Sequence, residues 1–341
     1  MPTSTTNPMA DLYRRLRSVG LTTPMIRKYI LPEWWDDEVA TNPAGLAEGL
    51  AYISRHAGFD LGSLRDPLRA IAFRDGGPCK FKKSRDASED QLRLVRSLAT
   101  RVAHLASAAT VEPCIPPPAA AAQVRAEILG RGQPWVGLSN LVDYCWSIGI
   151  PVVHLASFLK SRQPDGLALK VRGRPVIALC KNEKRSAWLL FILAHELGHI
   201  VLGHIPDDGA VLDVDVHAND RDEEEKAAND FAVELLTGRA DTKFWADRWP
   251  NAVALAKTAR ELGREHQIDP GHVVLNYAHS MGPGFFAVGN AALKHLEKGD
   301  ATGIVRRKLA ERLDWSRLPE DSCEFLMRVS RSGDASDLPV G

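Results

Sequence analysis

The stretch Arg185-Ser186-Ala187-Trp188-Leu189-Leu190-Phe191-Ile192-Leu193-Ala194-His195-Glu196-Leu197-Gly198-His199-Ile200-Val201-Leu202-Gly203 decides how this chain is read. It is predicted as one long helix, apolar all round apart from three polar residues, and a helix of that kind belongs in a core. The three residues are His195, Glu196 and His199. Their H-E-x-x-H spacing sets two imidazoles four residues apart on one helix face, where both can ligate one metal ion. Glu196 projects beside them, within reach of a water on that ion, where a carboxylate can take a proton as the water attacks a carbonyl. Burying an acid and two imidazoles among Leu, Ile and Val is unfavourable unless something compensates, and a divalent ion is the natural compensation.

A zinc site of this type needs a third protein ligand and an open fourth position. His204 lies five residues after His199, one short of the spacing at which a third histidine follows in H-E-x-x-H-x-x-G-x-x-H, and it reads as the helix end near the last carbonyls. The better candidate lies in a second predicted helix, Asp222 to Leu236, with an apolar face of Ala228, Phe231, Ala232, Leu235 and Leu236. At 100° per residue Glu223 points away from that face, while Glu224 and Glu225 both border it. Spacing selects Glu225, because Asn229 stands one turn on and can support a ligand from behind, whereas Glu224 has only Ala228 there.

Working outward, Ile150–Leu155, Leu167–Val171 and Val176–Cys180 are short, branched runs, and Arg172 to Arg174 around Gly173 reads as a hairpin turn. A small sheet is expected there, with Leu167, Leu169 and Val171 on a strand whose free edge could pair with an extended peptide. Upstream the signals are helical: Leu12, Leu16 and Val19 ending at Gly20, a start at Asn42-Pro43, and a capping-box spacing from Ser88 to Gln91. The N-terminal part is therefore expected to be all helix. Pro113, Pro116, Pro117 and Pro118 beside alanines mark a stiff linker. Trp249 to Gly282 reads as two helices, the second starting at Asp269-Pro270 and packing against the unit before it.

The 341 residues carry 43 basic and 43 acidic side chains, a balance that argues against a chain bound everywhere to nucleic acid or anionic lipid. Five cysteines without a C-x-x-C pair do not make a disulfide framework, which fits a reducing cytoplasm. The longest apolar run, Ala187 to Ala194, is far below bilayer-spanning length, so no membrane partner is expected.

The run Phe191-x-x-Ala194-His195-Glu196-Leu197-Gly198-His199, followed by Glu225-x-x-Ala228-Asn229-x-Phe231-Ala232-x-x-Leu235-Leu236, resembles the ImmA/IrrE family of metallopeptidases. The likeness covers about a third of the chain, reaching back weakly to Gly149. It departs from the family at Thr237-Gly238, where a proline commonly follows the paired leucines, and at Ala227, where an acid is usual. The resemblance implies His195, His199 and Glu225 as metal ligands and Glu196 as general base, with Zn2+ as the cofactor and Mn2+ as an alternative. It also implies a protein substrate, a helix-turn-helix repressor, cleaved in a regulatory, stress or phage-related response.

The expected fold is α+β: a minimal zincin-like metallopeptidase unit with a small sheet, flanked by helical N- and C-terminal regions. The expected division is 1–110 helical, with a loose likeness to helix-turn-helix units, 111–123 linker, 124–240 peptidase, 241–330 helical and 331–341 a tail without structure. Arg14, Arg15, Arg17, Arg27 and Lys28 suggest a DNA contact for the first part, with a solvated helix surface as the plainer reading. Lys80, Lys82, Lys83 and Arg85 read first as a loop. His217, His272, Tyr144 and Tyr277 are candidates for an oxyanion donor. The rival to the enzyme is a regulator that uses the metal structurally and binds DNA or protein; Glu196 favours the enzyme, since a structural site needs no base.

Overall fold

The helices α1 (Pro8–Ser18), α2 (Thr23–Met25), α3 (Pro43–Ala57) and α4 (Leu61–Arg65) are followed by strand β1 (Cys79–Lys82) and the long α5 (Glu89–Ala109). Next come α6 (Ala121–Leu129), α7 (Leu138–Ser147), β2 (Val152–His154), β3 (Gly166–Val171), β4 (Arg174–Leu179), α8 (Ser186–Val201), β5 (Ala210–Asp213) and α9 (Glu223–Thr237). The chain closes with α10 (Ala252–His266), α11 (Pro270–Met281), α12 (Phe286–Leu296), α13 (Ala301–Arg312) and α14 (Glu320–Ser330). This computed structural model describes residues 8–74, 79–82, 89–155, 164–207, 209–213, 223–247, 250–297 and 299–330. The architecture is α+β, with helical regions on both sides of one small mixed sheet.

Local chemistry sets many of the boundaries. Asn42 caps α3 by accepting the Gly45 N–H at 2.8 Å, with Pro43 in the first turn, and Asp269 caps α11 in the same way through the His272 N–H at 3.1 Å. Arg172 and Gly173 have φ of 51° and 81°, the left-handed pair that a two-residue type I′ turn requires, and so join β3 to β4 with Val171 opposite Arg174.

The sheet order is β1-β5-β3-β4-β2. β3 is antiparallel to both β4 and β5, while β1 runs parallel to β5 and β2 parallel to β4. Helices α5 and α8 both pack on β3 and β4. Consecutive residues Leu167, Ala168 and Leu169 are all buried, as a sheet covered on both faces demands. One apolar core extends from Met9 to Val329, and a smaller cluster unites α10, α11 and α12 against Ala187 at the start of α8. Helix α8 is thus enclosed by the sheet, α7, α9 and α11, which is why its sequence is apolar all round.

Two expectations are corrected here. The N-terminal part is not all helix, because Cys79–Lys82 forms β1, which replaces the expected basic loop at Lys80 and Lys82; Lys83, Arg85 and Ser88 lie outside the described residues. A short strand whose partner, Ala210–Asp213, is far along the chain has no local signature. The strand Leu167–Val171 has no free edge: Leu169 lies opposite Val176 on one side and Ala210 on the other, so it cannot take up a peptide by strand addition.

The expected basic surface of the N-terminal helices is partly engaged within the chain. Arg15 donates to the carbonyls of Ser63, Leu64, Asp66 and Arg69, closing the C-terminal end of α4, and Arg27 pairs with Asp37. Among the described residues no helix is long and apolar enough to cross a membrane.

His56, fully buried on α3, stacks on Phe325 of α14 with ring centroids 4.4 Å apart. Burial, then the charge of Arg101 on α5, lowers its pKa from 6.5 to about 3; Asp321 opposes this, and Arg55 and Arg328 add to it. Below pH 6.5 the unfolded chain therefore takes up a proton that the folded chain refuses, so stability falls as the pH drops from about 6.5 toward 3. We expect His56→Phe to flatten this acid limb in urea unfolding between pH 7 and 5. An unchanged limb would remove His56 as its cause.

Candidate metal centre

The site begins at a close approach of two helices. A Cβ on Gly198 would stand 3.2 Å from both the Ala228 carbonyl oxygen and Phe231 Cδ1, so the bare glycine lets α9 settle against α8. On α9, Glu225 and Asn229 are one turn apart and both turn toward α8. Glu223 is exposed, as the helical period predicts, while packing separates the two glutamates that the period left together: Glu224 is half-buried and Glu225 only 3% exposed.

Three donor atoms converge there. His195 Nε2 and His199 Nε2 are 3.0 Å apart, and the Glu225 carboxylate places Oε2 3.4 Å from the first and Oε1 3.3 Å from the second. Asn229 Oδ1 accepts from His195 Nδ1 at 3.0 Å, which puts the ring's proton on Nδ1 and its lone pair on Nε2. Two nitrogens and a carboxylate oxygen at these separations suit a metal ion. Ligands at about 2.0 Å around a tetrahedral centre lie about 3.3 Å from one another, close to the observed triangle. His195, His199 and Glu225 form the candidate metal site among the described residues.

His204 is not one of these three. Gly203, with φ of 72°, ends α8, and the chain turns back so that the His204 N–H donates to the His199 carbonyl at 3.0 Å. The turn lays the His204 ring against His199, with the two Nδ1 atoms 2.8 Å apart. A proton on His199 Nδ1 shared with His204 leaves the lone pair on Nε2, toward the site. The sequence reading placed His204 at the helix end but missed this contact, which follows from the left-handed glycine before it.

Glu196 is fully buried beside the pair. A Cβ at Gly166, the first residue of β3, would lie 2.4 Å from Glu196 Oε1 and 2.7 Å from Ile192 Cγ2, so the strand approaches the carboxylate as closely as backbone allows. Gly166 escaped the sequence reading because a glycine at a strand end reads as a turn. Among the candidate oxyanion donors, His217 lies outside the described residues. His272 stacks on Phe191, one turn before His195 on α8, with centroids 6.0 Å apart. Tyr277 meets Phe285, and Tyr144 lies under Arg131.

Titration with Zn2+ against a chromogenic chelator tests this arrangement. Glu225→Ala should lose the site, and Glu224→Ala should bind as the parent does. His204→Ala and Asn229→Ala should each weaken binding roughly 10- to 100-fold, the usual effect of removing a partner that orients a ligand. Loss of the site in His204→Ala with retention in Glu225→Ala would reverse the assignment.

Residues 149–260 match the sequence model of a peptidase family, Peptidase M78, described as the IrrE N-terminal-like domain. No curated protein and no solved structure matches the chain. The matched span runs from the residues just before β2 into α10 and contains all of α8 and α9, hence the whole converging set. Residues 149–260, about a third of the chain, are thus similar to an IrrE N-terminal-like domain.

Proposed function

We propose that the chain is a zinc-dependent endopeptidase that cleaves a protein substrate, a helix-turn-helix transcriptional repressor, in a regulatory response. The observation that carries the reading is the convergence of His195, His199 and Glu225 with the carboxylate of Glu196 beside them. The peptidase family of the domain supports hydrolysis; the repressor substrate rests on the resemblance of the motif alone.

A bound zinc ion would polarise the scissile carbonyl and make a nearby water acidic enough to ionise near neutral pH. His195, His199 and Glu225 would hold the ion, with Asn229 and His204 contacting the far nitrogens of the two rings and so keeping them turned to it. Glu196 accepts the proton of the attacking water on a carboxylate oxygen and carries it to the leaving amide nitrogen. Gly166 leaves that carboxylate room to stand where it does. A regulator with a purely structural metal would have no task for a buried acid at this position. Arg15 and Arg27, two of the residues expected at a DNA contact, are instead engaged by partners within the chain.

Incubation of the purified protein with repressors encoded next to it tests the reading. Glu196→Gln should keep the metal and lose at least about 100-fold in cleavage, the scale of a general base. Near-normal cleavage by Glu196→Gln would contradict the mechanism. Gly166→Ala should also retain the metal but cut more slowly, by roughly 10- to 100-fold, because the added methyl displaces Glu196. Metal loss without slower cleavage per bound ion would contradict that placement.

A further inference from the structure

The side chain of Arg125, on α6, is buried where three helices meet, and it lies outside the residues matched to the peptidase family. Its Nη1 donates to the carbonyls of Leu235 and Leu236 at 3.2 and 2.9 Å, in the last turn of α9. Its Nη2 donates to the carbonyls of His266 and Gln267 at 3.2 and 2.8 Å, where α10 ends. Carbonyls at a helix C-terminus have no partner further along the helix, and a cation beside them also meets the negative end of the helix dipole. Burial disfavours the charge and lowers the Arg125 pKa, and the four acceptors offset that cost.

Helix α9 is the one that carries Glu225 and Asn229, and its last turn lies about 16 Å from Glu225 along the axis. Apolar contact at Gly198 fixes how closely α9 approaches α8. Such contact is non-directional, whereas hydrogen bonds at a helix end are directional and set its position along and about its axis. Arg125 ties that end to α10, with which α9 shares little direct packing among the described residues. Helix α10 in turn packs on α11, and α11 on α8. The result is a closed circuit from α8 through α9, Arg125, α10 and α11 back to α8, with the metal ligands at one junction and the guanidinium at another.

We propose that Arg125 is a positioning residue for the metal centre: by joining the ends of α9 and α10 it sets where Glu225 and Asn229 stand against His195 and His199. The inference rests on reading those residues as a metal site and does not depend on which bond the protein cleaves. The planar fork suits the task, since its two Nη groups serve two helices at once, a geometry that the single ammonium of lysine does not reproduce. An arginine that only filled the junction would contribute to stability and leave the affinity for an ion unchanged. The charge by itself acts in the opposite direction, because removing a cation from the surroundings of a divalent ion favours that ion. Weaker metal binding without Arg125 therefore reports displaced ligands.

Zn2+ affinity of the full chain, measured by chelator competition well below the melting temperature of each variant, separates the two roles. Arg125→Met should bind Zn2+ at least about tenfold more weakly than the parent, and Arg125→Lys should fall between them. Arg15→Met supplies the comparison, because Arg15 also donates to four carbonyls around a helix end, that of α4. It should lower the melting temperature and leave Zn2+ affinity as in the parent. If Arg125→Met fails to fold, Arg125→Lys carries the test, with an expected loss of at least about threefold. Parent-like affinity in the folded Arg125 variant, or an equal loss in Arg15→Met, would overturn the proposal. Failure of the parent itself to bind Zn2+ would overturn the metal reading, and the positioning role with it.

Discussion

The seating of α9 against α8 at Gly198 is the constraint on which the rest depends. Only a hydrogen at that position lets the Ala228 carbonyl and the Phe231 ring come within van der Waals contact of α8. That approach delivers two side chains at once: Glu225 to the Nε2 atoms and Asn229 to the far nitrogen of His195. A larger residue would push both away together, because they share one face of α9. The remaining architecture serves to hold α8 still. The sheet supports it from below, with β3 touching it at Gly166, while α7 and α11 close its other sides.

The same enclosure explains why the site suits a metal. His195, Glu196 and His199 are fully buried and Glu225 nearly so, an arrangement that an apolar interior does not tolerate without compensation. Two imidazole lone pairs aimed at one point, opposed by a carboxylate, are compensated by a divalent cation and by little else. The polar contacts behind the rings, from Asn229 and His204, then fix which nitrogen faces inward.

Much of this was legible in the sequence because it is written in helical periods. The pair His195 and His199, the choice of Glu225 over Glu223, and Asn229 behind it all follow from positions one turn apart. The Arg172-Gly173 hairpin and the caps at Asn42 and Asp269 were readable for the same reason, as each is decided by a few adjacent residues. What escaped was long-range. Strand β1 pairs with the distant β5, and the pairing of β5 with β3 places β3 inside the sheet instead of at its edge. Gly166 acquires its meaning only from Glu196, which the chain brings beside it through a strand, a turn and a helix.

The most direct test of the central claim is X-ray absorption at the zinc edge of the metal-loaded full-length protein. A centre built by the meeting of α8 and α9 predicts two imidazole nitrogens and light oxygen donors at about 2.0 to 2.1 Å, unchanged in spectrum by His204→Ala apart from affinity. Three imidazoles in the parent, falling to two in His204→Ala, or a sulfur donor at about 2.3 Å, would contradict it.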